Sequence, residues 1–163
     1  RDTILYVSGE LQPGTGGPTI PTDTAADYAY KHTSKQRSVY LPVLRNALPE
    51  LFEVFDFPDT SRVSGQRNVT TVAPQSLFLM NHPFVIEEAR LFAERLLAKS
   101  GLDDRARVEE AYQLALSRSP AQGELRVALK HLGLSTASHE TRLQAWSQLC
   151  HSIFASVDFR YLD

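Results

Sequence analysis

The side chains best suited to do chemistry in this chain are polar and gathered in its middle: Arg37, Tyr40, Arg45, Asn46, Asp56, Arg67, Thr70, Thr71, Gln75 and Asn81. They stand among apolar residues and away from long polar runs. Lys35, Arg37 and Arg45 fall between Thr33 and Pro49 with no acid among them. A guanidinium grips carboxylate, sulfate or phosphate with two parallel N–H donors. Arg37, Tyr40, Arg45, Asn46, Arg67, Thr70, Thr71, Gln75 and Asn81 are therefore the candidate set for an anionic or carbohydrate ligand. The competing reading is architectural, and it is the favoured one. In it Arg37, Arg45 and Arg67 bond irregular backbone and pair with Asp56 or Glu53, because buried carbonyls must find donors. No catalytic role is assigned to any residue.

Three further segments invite chemistry and are read more plainly. Ser147-Gln148-Leu149-Cys150-His151 is a C-x-x-C-H haem-attachment box with Ser in place of the first Cys. Cys150 lies at helical spacing with Trp146 and Ile153, so a small buried hydrophobe is the stronger reading. Gly14-Thr15-Gly16-Gly17 lacks the Gly-Lys-Ser/Thr ending that a phosphate loop needs, and reads as a plain loop. His32, His82, His131, His139 and His151 include no i,i+4 pair, so no metal site is assigned. Asn68-Val69-Thr70 fits a glycosylation acceptor triplet, a pattern common by chance.

The elements that must hold these residues fall into two halves. Pro13 to Pro18 is a turn cluster, prolonged by Pro21, and residues 22–36 are expected to be irregular. Val39, Leu41 and Val43 alternate, which favours an extended run, kept to a sheet edge by Pro42. Residues 68–72 form a second candidate strand. Between them Leu51, Phe52, Val54 and Phe55 point to a short buried helix. From Pro74 onward the pattern is helical. One short helix runs to Met80. A second is capped by Asn81 and carries a Val85, Ala89, Phe92, Leu96 stripe widened by Ile86, Ala93 and Leu97. Gly101 gives a left-handed stop. A third starts at Asp103-Asp104 with Val108, Ala111, Tyr112 and Ala115 buried, and a fourth starts from a Ser119-Pro120 capping box and ends at Gly133. A last one spans about 139–154 with Leu143, Trp146, Cys150 and Ile153 inward, followed by a docking tail. The fold class expected is mainly α. A single domain covers 1–163, loop-rich over residues 1–72 and helical over residues 73–163, with room for a small two-stranded β element.

Composition narrows the function classes. The chain has 163 residues, 42% hydrophobic and 22% charged, with a net charge of −2. The basic footprint of a nucleic-acid binder is missing, and no apolar run reaches the length of a membrane span. One cysteine cannot make an internal disulfide. The chain opens in mid-pattern at Arg1, with Ile4, Leu5 and Val7 ahead of the Ser8-Gly9 break. The expectation is that it is a fragment of a longer polypeptide.

Three strings are long enough to carry a family resemblance: Arg37-Ser-Val-Tyr-Leu-Pro-Val-Leu-Arg45-Asn46, Leu51-Phe-Glu-Val-Phe-Asp-Phe-Pro-Asp59, and Thr70-Thr-Val-Ala-Pro-Gln-Ser-Leu77 with Met80-Asn81. Arg1-Asp2 through Gly9, Gly16-Gly17-Pro18, Ser117-Arg118-Ser119-Pro120 with Glu124, Trp146 with Cys150-His151, and Phe159-Arg160-Tyr161 agree with the same pattern. Together they resemble the C-terminal portion of the PSD domain of planctomycete cytochrome-associated proteins, a family of unknown function. The resemblance implies an exported protein, periplasmic or extracellular, whose upstream portion carries a c-type cytochrome domain. It places any haem there and no cofactor in this fragment. It makes the neighbouring domains of the same polypeptide the expected partners; the truncated first helix and the missing catalytic signatures make a non-catalytic structural or interaction module the expected role. The alternative is an enzyme or ligand-binding domain working through the cluster of residues 37–81. The resemblance supplies no residue roles.

Overall fold

The computed structural model describes residues 1–14, 20, 30, 32–44, 47–58, 65, 73–133 and 138–161. These are mainly helical: α1 (Asp2–Ser8), a 3-10 turn (Ser38–Tyr40), α2 (Glu50–Val54), α3 (Ala73–Asn81), α4 (Pro83–Leu97), α5 (Asp104–Leu116), α6 (Gln122–Gly133), α7 (His139–Phe154) and α8 (Val157–Arg160). The chain divides into two compact units. One comprises Arg1–Asp2 and Leu11–Phe78, the other Thr3–Glu10 and Leu79–Asp163.

The second unit is built on α4 packed along α7. Its apolar stripes converge as their spacing requires: Val85, Ala89, Phe92, Ala93 and Leu96 of α4 and Trp146, Cys150, Ile153 and Phe154 of α7 are all buried. Phe92 stacks on Phe154 at 5.9 Å between ring centres. Phe154 in turn meets Phe159 of α8 at 5.0 Å. Burying an aromatic side chain of this size is worth roughly 3–5 kcal/mol against truncation to Ala. Ile4, Leu5 and Val7 of α1 are equally buried. Helix α1 ends in a Schellman turn, with Gly9 N–H on the Tyr6 carbonyl and Glu10 N–H on that of Leu5. Gly9 sits there at φ +89°, a conformation that favours glycine.

Arginines close the helix ends of this unit. Arg95 donates to the carbonyls of Tyr6 (2.9 Å) and Val7 (2.8 Å), the last turn of α1. Arg107 donates to the carbonyls of Leu96 (3.2 Å) and Lys99 (2.9 Å) at the end of α4. These are the carbonyls that a helix C-terminus leaves without an intrahelical donor.

The first unit is joined differently. Its described apolar core residues are Leu41 and Phe78. Phe52 stacks on Phe57 at 5.3 Å, and Phe55 meets Phe78 edge-on at 6.3 Å. Polar bonds complete it. The Arg1 guanidinium donates to the carbonyls of Gln36 (2.7 Å) and Ser34. Asp2 accepts from the N–H (2.7 Å) and hydroxyl (2.6 Å) of Ser38. Gln12 and Gln36 form an isolated parallel bridge.

Several expectations need correction. The segment expected as an edge strand forms a 3-10 turn at Ser38–Tyr40. Pro42 denies it a ladder donor, and no strand longer than the isolated bridge occurs among the described residues. The second candidate strand, 68–72, lies outside them. Helix α2 is half-buried rather than buried. The cap of α4 is His82, whose ring accepts from Phe84 N–H at 3.1 Å; Asn81 is instead the last residue of α3. Ile86, expected in the stripe, is 47% exposed, while Glu88 on the same helix is buried and accepts from Ser8 Oγ at 2.5 Å. Helix α6 begins two residues later than Pro120. The Glu124 carboxylate accepts from Ala121 N–H at 2.6 Å, so half a capping box forms without Ser119. The limits of α7 and Gly101 at φ +83° follow the sequence pattern, and Ser138 caps α7.

Candidate functional site

Of the nine candidate residues, Arg45, Asn46, Arg67, Thr70 and Thr71 lie outside the described residues. Arg37, Tyr40 and Gln75 belong to the first unit and Asn81 to the second. Arg37 stands at the edge of the Arg1–Asp2–Ser38 cluster. Its side chain is 65% exposed and its Nε lies 3.7 Å from the Asp2 carboxylate. The acid at Arg37 is thus Asp2, not Asp56 or Glu53. Burial works against the Asp2 charge, but the Ser38 hydroxyl and N–H and the neighbouring Arg1 outweigh it and hold its pKa below the usual 3.8. Tyr40 lies against Gly14 so closely that a Cβ there would come within 2.7 Å of its ring. Gln75 is half-buried on α3, and Asn81 is exposed and bonded. None of these four lines either of the two cavities described below.

The altered haem box is occupied by structural work. Ser147 Oγ donates to the Leu143 carbonyl one turn back, at 2.7 Å. Cys150 is fully buried, which pushes its thiol pKa up and keeps it a thiol. His151 Nε2 bonds the Leu79 carbonyl at 2.9 Å.

The cavities lie elsewhere, where α5, α6, α7 and α8 meet. An open groove of about 480 Å³ runs between α6 and α7. Ala128, Leu149 and Tyr112 form its apolar surface, with Val127 beside them and 70% exposed. Polar groups, among them Gln148 and His131, edge it. A smaller recess of about 110 Å³ shares Tyr112, Glu124 and Ser152 with the groove and adds Arg118, Ser156 and Asp158.

The recess is organised by one arginine. Helix α5 ends at Ser117 in the left-handed region, φ 55°, which turns the chain sharply and presents Arg118. Its Nη1 and Nη2 each donate to a Glu124 oxygen at 2.8 Å. Nε donates to Asp158 at 3.1 Å, Nη2 also to Asp158, and Nη1 to the Ser119 carbonyl at 3.1 Å. All five N–H donors are thereby used. The guanidinium also lies 5.4 Å from the Tyr112 ring centre, a cation–π distance.

These contacts set the local electrostatics. Bonding to Arg118, helped by Ala121 N–H, holds the Glu124 carboxyl below its usual 4.5. Burial first, then the Glu124 and Asp158 charges, raises the Tyr112 phenol above 10 against the opposing pull of Arg118. Tyr112 is 9% exposed, and its hydroxyl makes no hydrogen bond among the described residues. Reasoning from the sequence placed Tyr112 in a helix stripe and missed this site. Its one signal was the Ser117-Arg118-Ser119-Pro120 string with Glu124.

No curated protein and no solved structure matches the chain. Among the described residues, no helix is long and apolar enough to cross a membrane. The family described as "Protein of unknown function (DUF1553)" matches residues 1–132, a span that holds Tyr112, Arg118 and Glu124 and stops short of α7 and α8. A match over that much of its length makes the chain a member of the DUF1553 family.

Proposed function

We propose that the chain is a non-catalytic interaction module of an exported, multidomain protein. In this reading it works in the periplasm or outside the cell and packs against neighbouring domains of its own polypeptide, a c-type cytochrome domain among them. The observation that carries the reading is the open groove between α6 and α7, whose apolar surface and largely exposed Val127 offer a partner area to cover. Domains on one polypeptide meet at roughly millimolar effective concentration, so even a weak groove suffices. The test is calorimetric titration of this chain with the separately produced preceding domains of its polypeptide. Binding that Val127→Asp abolishes without lowering thermal stability is the expected result. No heat at millimolar concentration, or binding indifferent to Val127→Asp, overturns it.

A second reading rests on Arg37 and Tyr40. Both are exposed beside one 3-10 turn, and the described acid nearest Arg37 holds it only at 3.7 Å. A sulfated or uronic sugar could be gripped there, with Gln75 of the same unit as a further candidate. Binding to the folded state raises melting temperature. A shift with millimolar sulfated sugar that Arg37→Ala removes supports this reading, and no shift ends it.

A further inference from the structure

We propose that the joined groove and recess bind a lysine side chain of a partner polypeptide, its ammonium in the Tyr112–Glu124–Asp158 recess and its stem and apolar neighbours along the groove. This rests on the interaction-module reading and names the partner chemistry of that same surface.

Arg118 has no donor left, so the recess cannot recruit an anion through it. Ser152 Oγ already donates to the Leu149 carbonyl, and Ser156 Oγ to that of Ile153. What remains are acceptors: the Ser152 hydroxyl oxygen and the second Asp158 oxygen, Oδ1, which takes no bond among the described residues. The phenol of Tyr112 lines the recess and takes no hydrogen bond among the described residues, so its oxygen is a further open acceptor. Glu124 and Asp158 against Arg118 leave one net negative charge. An ammonium brings three donors, one positive charge and no acceptor, which is the complement of that inventory.

Size argues for a polypeptide over a free amine. The recess of about 110 Å³ suits an ammonium and its last methylenes. The groove of about 480 Å³ exceeds one aliphatic stem and calls for further apolar groups.

The experiment titrates the intact chain, by NMR shift perturbation, with hexylammonium, hexanol, hexyl sulfate and the peptide acetyl-Leu-Lys-Leu-amide. The expected order is peptide tightest, then hexylammonium, with hexanol and hexyl sulfate weaker by about tenfold or more. Tyr112→Phe folds normally, since the hydroxyl holds nothing within the described chain, and weakens the peptide about fivefold. Asp158→Asn removes the net charge, frees donors on Arg118 and shifts preference toward hexyl sulfate. Hexyl sulfate binding as well as hexylammonium, or Tyr112→Phe binding as the parent does, overturns the ammonium site. Hexylammonium binding at least as tightly as the peptide assigns the cleft to a free amine and overturns the polypeptide occupant. If all four probes fail while the Val127-dependent titration succeeds, this inference falls and the module reading stands.

Discussion

The two compact units of this chain are held by different forces. In Leu79–Asp163, stripes on α4 and α7 bury Trp146, Phe92, Phe154, Leu96 and Cys150 completely, and arginines seal the helix ends. In Leu11–Phe78 with Arg1–Asp2, Leu41 and Phe78 are the described core, and directed polar bonds from Arg1 and to Asp2 pin the backbone. Apolar burial is non-directional and grows with area, whereas a suture of hydrogen bonds is local and fails one bond at a time. The comparison teaches where each unit is weakest. The helical unit fails by losing volume, and the loop-rich unit by losing a charge.

The largest effect expected tests the first half of that statement. Trp146→Ala removes the largest fully buried side chain and lowers stability by about 3–5 kcal/mol in urea melts followed by helical signal. Leu41→Ala, in the other unit, costs about 2 kcal/mol or less, because less apolar surface surrounds it. Equal losses at the two sites would erase the distinction. Trp146 also sharpens it: its indole N–H is buried with no acceptor among the described residues. Trp146→Phe therefore costs far less than Trp146→Ala, since it removes an unmatched donor along with volume.

The next effect addresses the sutures. Asp2→Ala deprives the Ser38 N–H and hydroxyl of their acceptor and costs about 1–2 kcal/mol. Hydrogen exchange of amides near Ser38 should speed up while those of α4 and α7 keep their protection. Arg107→Ala does the reverse, exposing the Leu96 and Lys99 carbonyls at about the same cost. Loss of protection across both units from either variant would show them to unfold together.

Acid supplies a smaller, graded version. The folded pKa values of Asp2 and Glu124 are both depressed. A depressed carboxyl contributes stability that is complete above its ordinary value and is lost as pH falls through the folded one. Little should change between pH 7 and 5. Below the ordinary 4.5 for Glu124 and 3.8 for Asp2 both units weaken. Exchange around Glu124 should respond first, because its ordinary value is the higher, and exchange near Ser38 should follow. Stability that rises on acidification would contradict the sign.

How much of this was legible in the sequence follows the same division. Helices α4, α5 and α7 were readable because 3-4 spacing of large apolar residues leaves one packing solution, and Asp103 marks the start of α5 chemically. The burial of Glu88 was not legible because periodicity gives a face and not a partner, and Ser8 lies eighty residues away. The architectural reading named Arg37, Arg45 and Arg67; Arg37 bonds no described carbonyl, Arg45 and Arg67 lie outside the described residues, and the described carbonyls are closed by Arg1, Arg95 and Arg107. Which guanidinium meets which helix end is a matter of tertiary placement. The recess escaped for the same reason: Asp158 joins Arg118 from forty residues on.

The smallest effect expected is also the one that separates folding from function. Gly123 occupies the second position of α6, with no positive φ, and a Cβ there would meet nothing within 4 Å. Neither backbone conformation nor close packing asks for glycine. Ala would reduce the entropy of the unfolded chain and stabilise the helix by about 0.5 kcal/mol. Yet Gly123 lines the groove, and an added methyl narrows the channel in which the partner's stem would lie. Gly123→Ala should therefore raise the melting temperature slightly while weakening acetyl-Leu-Lys-Leu-amide binding. A variant that is more stable and binds equally well would mean that the partner passes this residue by, and would move the contact toward Gln148 and Leu149 of α7, at the other side of the groove.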